Sequence, residues 1–217
     1  MTEEDISEMT IYDPSAGDLS LAFLDTLNWR GREDPEESLF SCEDLFTWSR
    51  EAGLIDASQA RALGSLARAN PQQAQAALAE AIGHREGLFR LFTALIAGIE
   101  PPAGDLRHFN QALSEAVSNR QIQFEETGPR WAWRESAFPL LDPLRPVLLA
   151  AAHLMVSDER SRIRACGNDE CGFLFVDRSR NQSRKWCSSE SCGNRLRVRQ
   201  FYSRARRPTS SSPSDPC

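Results

Sequence analysis

Along the first 160 positions apolar residues recur mostly at spacings of three and four, the pattern of helices that bury one face. LSLAFLDTLNWR, residues 19–30, is amphipathic in this sense. Ser41 with Asp44 opens a second helix over EDLFTWSREAG, which Gly53 ends as its C′ residue. A third runs from about Ser58 to Ala69. Asn70 before Pro71 then caps a long helix, QQAQAALAEAIGHREGLFRLFTALIAGI, that Pro101 and Pro102 terminate. Another covers roughly 104–118. RQIQFEETGPRWAWRE breaks the period, because Ile122 and Phe124 alternate, TGP supplies a turn and Trp131 and Trp133 alternate on the return, which predicts a β-hairpin. From Leu141, with Pro143 in its first turn, an alanine-rich helix is predicted to about Ser157.

Beyond residue 160 the long apolar period is lost. FLFVD is a short apolar strand, RSRNQS has turn composition and RKWC returns, so the spacing predicts a two-stranded ribbon over 173–187. GNRLRVRQFYSRARR holds no proline until Pro208 and predicts a helix starting at Cys192.

The chain has 217 residues, 41% hydrophobic and 26% charged, which fits a folded globular protein rather than a fibrous or wholly disordered one. The acidic start MTEEDISEMTIYDPSAGD lacks the basic and apolar regions of a secretory signal. The most apolar run, PLLDPLRPVLLAAAHLMV, is interrupted by Asp142, Arg145, His153 and three prolines and falls short of about 20 clean residues for a membrane span. A cytoplasmic location with reduced thiols and no membrane partner is expected.

That expectation gives the cysteines their meaning. Four of the six lie at 166, 171, 187 and 192, as two CxxxxC pairs separated by fifteen residues. In a reducing compartment such a cluster reads as a metal site before it reads as disulfides. Four thiolates satisfy tetrahedral zinc and leave no open position, so one structural Zn²⁺ held by Cys166, Cys171, Cys187 and Cys192 is expected. Gly167, Gly172 and Gly193 sit beside ligands, where the backbone must turn tightly. Knuckle, hairpin and helix together describe a treble-clef-like finger, too small to hold a core without its metal.

Charge divides the chain in the same place. Residues 1–159 hold 26 acidic and 12 basic side chains, whereas residues 160–207 hold 13 basic against 4 acidic. Such density is the electrostatic footprint of a nucleic-acid partner, with duplex DNA first and single-stranded RNA as the alternative. Docking of the finger on the acidic domain is the competing use of the same charge. The candidate nucleic-acid contacts are Arg184, Lys185, Arg195, Arg197, Arg199, Arg204, Arg206 and Arg207. The chain has 24 arginines and one lysine, so the clustering carries the signal and arginine's identity does not.

The sequence resembles bacterial CGNR zinc-finger proteins with an N-terminal ABATE domain. The four finger cysteines and the tetrapeptide Cys192, Gly193, Asn194, Arg195 carry the resemblance, together with LAFLDTLNWRG, DLFTWSREAGL, HREGLFRLF, FNQAL and WAW upstream. It implies a stress-induced transcription regulator, and it supplies no operator, ligand or trigger. One departure is Asp25, where the family would place asparagine.

Catalytic signatures are absent from the sequence. His84, His108 and His153 are dispersed, and no HExxH, GxSxG, Walker-type or GxGxxG motif occurs. Each histidine reads as a surface or partly buried helix residue, and Cys42 as a small buried one. Trp131 and Trp133 are expected to pack one helical face as core. The alternative is a ligand pocket for a small-molecule effector built from Asp25, Trp29, Arg30, Trp131 and Trp133. The reading is a mainly α (α+β) protein and no enzyme: an acidic arm (1–18), a helical domain with one β-hairpin (19–160), a zinc finger (161–207) and a disordered tail (208–217). Because one finger is a small interface, a homodimer or help from another protein is expected to supply the remaining specificity.

Overall fold

The computed structural model describes residues 12–134, 136, 138–195 and 197. Most of the acidic arm, most of the arginine-rich helix and the whole tail therefore lie outside the described residues. Among the described residues 58% are helical, with small β-hairpins, which makes the class mainly α.

Helix α1, Leu19–Leu24, begins at Asp18, whose carboxylate accepts the Ser20 N–H at 2.8 Å. It stops well before Arg30, shorter than its periodicity predicts. Thr26 Oγ1 donates to the Phe23 carbonyl, and Trp29 takes a left-handed φ of 55°, which cannot continue a helix. Between them Leu27–Asn28 (β1) pairs antiparallel with Glu36–Glu37 (β2).

Helix α2, Cys42–Glu51, is opened by a capping box. Ser41 Oγ accepts the Asp44 N–H, and the Asp44 carboxylate accepts the Ser41 N–H. Helix α3, Ala57–Ala69, has a second such box from Asp56 and Gln59, one residue ahead of Ser58. Helix α4, Pro71–Ala97, departs from expectation at its start. The Asn70 side chain donates to the Leu66 carbonyl and finishes α3, while Pro71 starts α4 without a side-chain cap. Helix α5, Ala103–Ser118, follows the Pro101–Pro102 break. The apolar stretch 139–156 is divided into a 3-10 turn, Pro139–Leu144, and helix α6, Arg145–Val156. Val147, Leu148, Ala151 and Leu154 of α6 are buried in the core, where α6 packs on α1.

Strands β3, Arg120–Glu125, and β4, Gly128–Trp133, form the predicted hairpin, with Ile122 opposite Trp131. Its tryptophans do not pack as core. Trp131 is 59% exposed and Phe124 80%, whereas Ala132, on the opposite face of the pleat, is buried. The arginines explain which face wins: the Arg120 guanidinium lies 4.5 Å from the Trp131 ring centroid, and those of Arg120 and Arg145 lie 5.6 and 5.7 Å from Trp133. The tryptophans thus serve as platforms for cations.

The finger's ribbon also differs from its predicted pairing. Strand β6, Leu174–Val176, pairs with β5, Ile163–Ala165, upstream of the first cysteine, and RKWC is not a strand. This register places Ile163, Leu174 and Val176 in the same buried cluster as Leu21, Phe23, Trp48, Leu88 and Phe92 of the helical part. Pairing β6 with the return segment would forfeit that burial, at roughly 1.5–3 kcal/mol for each large side chain.

Between β1–β2 and α4 lies a buried ionic chain. Arg85, 1% exposed, grips Glu37 with two bonds of 2.6 Å, reaches Thr26 Oγ1 at 3.1 Å, and donates from Nε to Glu86 at 2.9 Å. Glu86 in turn accepts from Arg30 at 2.6 Å. Burial pushes both carboxylates up, but the Arg85 and Arg30 guanidinium groups more than offset it, and Glu37 and Glu86 lie below the usual range. Removing the central cation leaves the half-buried Glu37 carboxylate without its counter-charge, while Glu86 keeps Arg30. Arg85→Ala is expected to cost about 3–5 kcal/mol, measured by chemical denaturation.

Candidate metal centre and nucleic-acid interface

Each finger cysteine is brought to the centre by a different local device. Cys166 follows β5, and its N–H donates to the Phe173 carbonyl at 2.8 Å, closing the first knuckle. The Cys171 N–H returns to the Asn168 carbonyl at 2.8 Å, and Gly172 turns the chain out with a φ of 73°. Cys187 is carried by the segment after the 178–184 loop. Asp177 anchors that loop by accepting from the Ser179 N–H, the Ser179 hydroxyl and the Arg184 N–H. Cys192 sits in a single π-type turn, Ser189–Gly193, that Ser188 caps.

The four sulfurs are buried and lie within 4.8 Å of one another. Cys171 and Cys187 are 3.7 Å apart, close to the edge of about 3.8 Å that a tetrahedron of ~2.3 Å zinc–sulfur bonds requires. Amides are aimed at sulfur from outside, with Cys187 N–H on Cys166 Sγ at 3.5 Å and Asn168 Nδ2 on Cys192 Sγ at 3.7 Å. The thiols are close enough to hydrogen-bond one another. Hydrogen bonds from Cys171 and then Cys187 hold Cys166 down to about 2, while the same bonds push Cys171 and Cys187 up. A single Zn²⁺ removes the conflict by ionising all four. The donor set, spacing and burial fit one structural zinc.

The tripeptide CGN occurs twice, at 166–168 and 192–194, and Trp186 explains its glycine. A Cβ at Gly167 would stand 2.7 Å from Trp186 Cζ3, and one at Gly193 would stand 3.3 Å from Cδ1. Both glycines flank one indole. The two asparagines diverge, since Asn168 crosses to the Cys192 sulfur whereas Asn194 is exposed and accepts from Arg197 at 3.1 Å.

The other sequence-selected residues separate into groups. Asp25, Trp29 and Arg30 come to the finger, not to Trp131 and Trp133, and none of the five lines the large cavity of the helical part. Asp25 is buried, with Oδ1 accepting the Leu174 N–H at 3.4 Å and Oδ2 without a partner among the described residues. The Trp29 ring packs against the cysteine cluster, with the guanidinium groups of Arg32 and Arg195 at 3.9 and 4.5 Å from its centroid. Arg30 holds both a carboxylate, Glu86, and a helix-end carbonyl, Leu24. Arg184 is not free for a partner. It donates to the carbonyls of Trp186, Cys187 and Ser15, and lies 4.3 Å from the Phe175 centroid. Lys185, Arg195 and Arg197 are exposed; Arg199, Arg204, Arg206 and Arg207 lie outside the described residues. Cys42 donates its thiol to the Ala74 carbonyl, and burial pushes its pKa up, as suits a packing residue.

Sequence reasoning missed Gly31. Its N–H donates to the Glu170 carbonyl at 3.2 Å, beside Arg30 N–H on Cys171 O at 3.2 Å, and a Cβ there would overlap the Asp169 carbonyl oxygen. The signal was the glycine in NWRG, a residue that permits close backbone approach.

A helical domain carrying a closed four-cysteine finger on its own core is thus the class that fold and site define. Residues 17–158 match the ABATE family model, described as "Putative stress-induced transcription regulator", and residues 162–205 match the CGNR zinc finger. The chain belongs to the ABATE family, with a CGNR finger following the family domain. Neither description is that of an enzyme. No curated protein matches the chain.

Two outcomes test this geometry. Chelation of zinc, or Cys166→Ser, is expected to disorder the half of the finger that carries Cys187 and Cys192 and change Trp29 and Trp186 fluorescence, while far-UV circular dichroism retains most of the helical signal. Burial raises the Asp25 carboxyl well above its usual range. A raised carboxyl contributes stability that is complete below the unfolded-state pKa of about 3.9 and is lost as pH rises through the folded value. Asp25→Asn keeps an acceptor for Leu174 and is therefore expected to raise stability at pH 7 and to change it little near pH 4, read from denaturation midpoints at both pH values.

Proposed function

We propose that the protein is a DNA-binding transcription regulator whose zinc finger presents an arginine-rich helix to duplex DNA. The observation that carries this reading is the chain immediately after the last finger cysteine. Residues 194, 195 and 197 are helical, and Arg195 and Arg197 are exposed there. Arg195, backed by the Trp29 ring, and Arg199 are the candidates for base edges, with Arg204, Arg206 and Arg207 on phosphates. Lys185 adds an exposed charge beside the second pair. Arg184 is left out of this interface, because its donors hold the finger together.

Internal docking accounts for another part of the basic charge. Arg178 pairs with Glu159 through two bonds of 2.8 Å and donates to the Gly17 carbonyl, and Arg184 reaches Ser15. These two arginines join finger to helical domain. Arg178 and Arg184 are thus engaged within the chain, whereas Arg195 and Arg197, the described arginines after Cys192, are exposed. An RNA reading rests on the same outward charge, with aromatic stacking in place of groove contacts. Of its candidate stacking residues Phe173, Phe175, Trp186 and Tyr202, Phe175 is buried, Phe173 and Trp186 are half-buried and Tyr202 lies outside the described residues, which favours the duplex.

Binding to mixed genomic DNA fragments across a salt series tests the proposal. Wild type is expected to lose affinity steeply with salt, and Arg204→Ala, Arg206→Ala and Arg207→Ala combined to reduce the log–log slope by about 2–3, near 0.9 for each phosphate that an arginine no longer neutralises. Equal slopes, or absence of binding by zinc-loaded protein, would sink it; preference for single-stranded RNA competitor would move the assignment to RNA.

A further inference from the structure

Two of the dispersed histidines are neighbours in space. Glu80 and His84 lie one turn apart on α4, His108 comes from α5, and one donor atom from each lies within 4.8 Å of the other two. The His84 and His108 rings are stacked, with centroids 4.4 Å apart and planes inclined by 21°. His84 Nε2 stands 3.6 Å from Glu80 Oε1, too far for a hydrogen bond and near enough to share an ion. Burial, then the His108 charge, pushes His84 down to about 4, so its imidazole is neutral at physiological pH and offers a lone pair. All three side chains line a cavity of about 690 Å³, walled by apolar residues such as Ala77, Ala112, Leu140 and Leu148.

We propose that Glu80, His84 and His108 bind one divalent transition-metal ion of the borderline class, such as zinc, cobalt or nickel, at the wall of this cavity. Two imidazoles and a carboxylate are the donor set these ions take, and hard cations such as magnesium are disfavoured by it. Bonds of about 2.0–2.1 Å put the donors of a tetrahedral ion roughly 3.4 Å apart. Glu80 and His108 are exposed, so rotation of their side chains closes the present spacing while buried His84 stays fixed. Unlike the closed four-sulfur centre, three protein donors leave a coordination position open. The cavity gives it room for water or for an acidic group of a small molecule.

Cobalt titration of the full chain, loaded with its finger zinc and freed of excess metal, tests this site apart from the DNA-binding reading. The expected result is uptake of one further equivalent, with visible d–d bands and none of the sulfur-to-cobalt absorption that entry into the finger would produce. His108→Ala and Glu80→Gln, both at exposed positions, are expected to weaken that equivalent by at least about 100-fold, the upper end of what losing even an outer-shell partner costs. Finger zinc content and the DNA salt slope, read on the same samples, should not change. Failure to take up a second equivalent, or uptake that survives both substitutions, would show the stacked histidines to be cavity lining and overturn the proposal.

Discussion

The close backbone approach of residues 30–31 to residues 170–171 is the constraint on which the arrangement depends. The Arg30 and Gly31 N–H groups donate to the Cys171 and Glu170 carbonyls, so the helical domain holds the first knuckle by its main chain at a metal ligand. That contact dictates several side chains. Gly31 and Gly172 lack a Cβ because one at Gly31 would strike Asp169 and one at Gly172 would stand 2.6 Å from Arg30 Cβ. Trp29 accepts an uncommon φ, at a cost of order 1–3 kcal/mol, because its ring is then placed on the cysteine cluster. Arg30 carries the restraint inward to Glu86, and Glu86 to Arg85 and Glu37.

Finger and domain therefore share one folding unit more than the sequence suggests. Ile163, Leu174 and Val176 belong to the helical core, whereas the cluster around the cysteines adds only Phe175 and three partly buried aromatic side chains. A free finger of this size would rely on zinc for nearly all its order. Here one face of its ribbon is held by apolar burial, Asp25 accepts the Leu174 N–H, and Arg178 and Arg184 clamp the segment at 15–17. Zinc then orders the remaining half, where Cys187 and Cys192 lie.

What the sequence disclosed followed from local rules. Cysteine spacing named the ligands because tetrahedral sulfur ligation needs two tight returns of the chain. The α2 start was legible because Ser41 and Asp44 satisfy each other's N–H groups without outside help. Where long-range contacts decide, local patterns misled. LSLAFLDTLNWR is amphipathic throughout, yet its second half is drawn out of the helix toward the knuckle. Trp131 and Trp133 alternate as core residues do, but β4 turns Ala132 inward and leaves the indoles to Arg120 and Arg145. FLFVD pairs upstream because that register buries Ile163, Leu174 and Val176 in a core built from far earlier in the chain. His84 and His108 looked unrelated until α4 and α5 packed together.

Helix α4 is the one element that meets both halves of the functional reading. On consecutive residues it turns His84 to the cavity with His108, and Arg85 and Glu86 to the ionic chain that ends at Arg30 and the first knuckle. Two sites influence each other only when a shared element has arrangements that each ligand favours differently. A slide or rotation of α4 would alter the His84–His108 stacking and the Arg85 and Glu86 bonds together, since neighbouring residues on a helix move as a body. The bonds of 2.6 Å to Glu37 and from Arg30 resist such motion, so a ligand at the cavity must supply enough differential binding free energy to lengthen them before the finger responds.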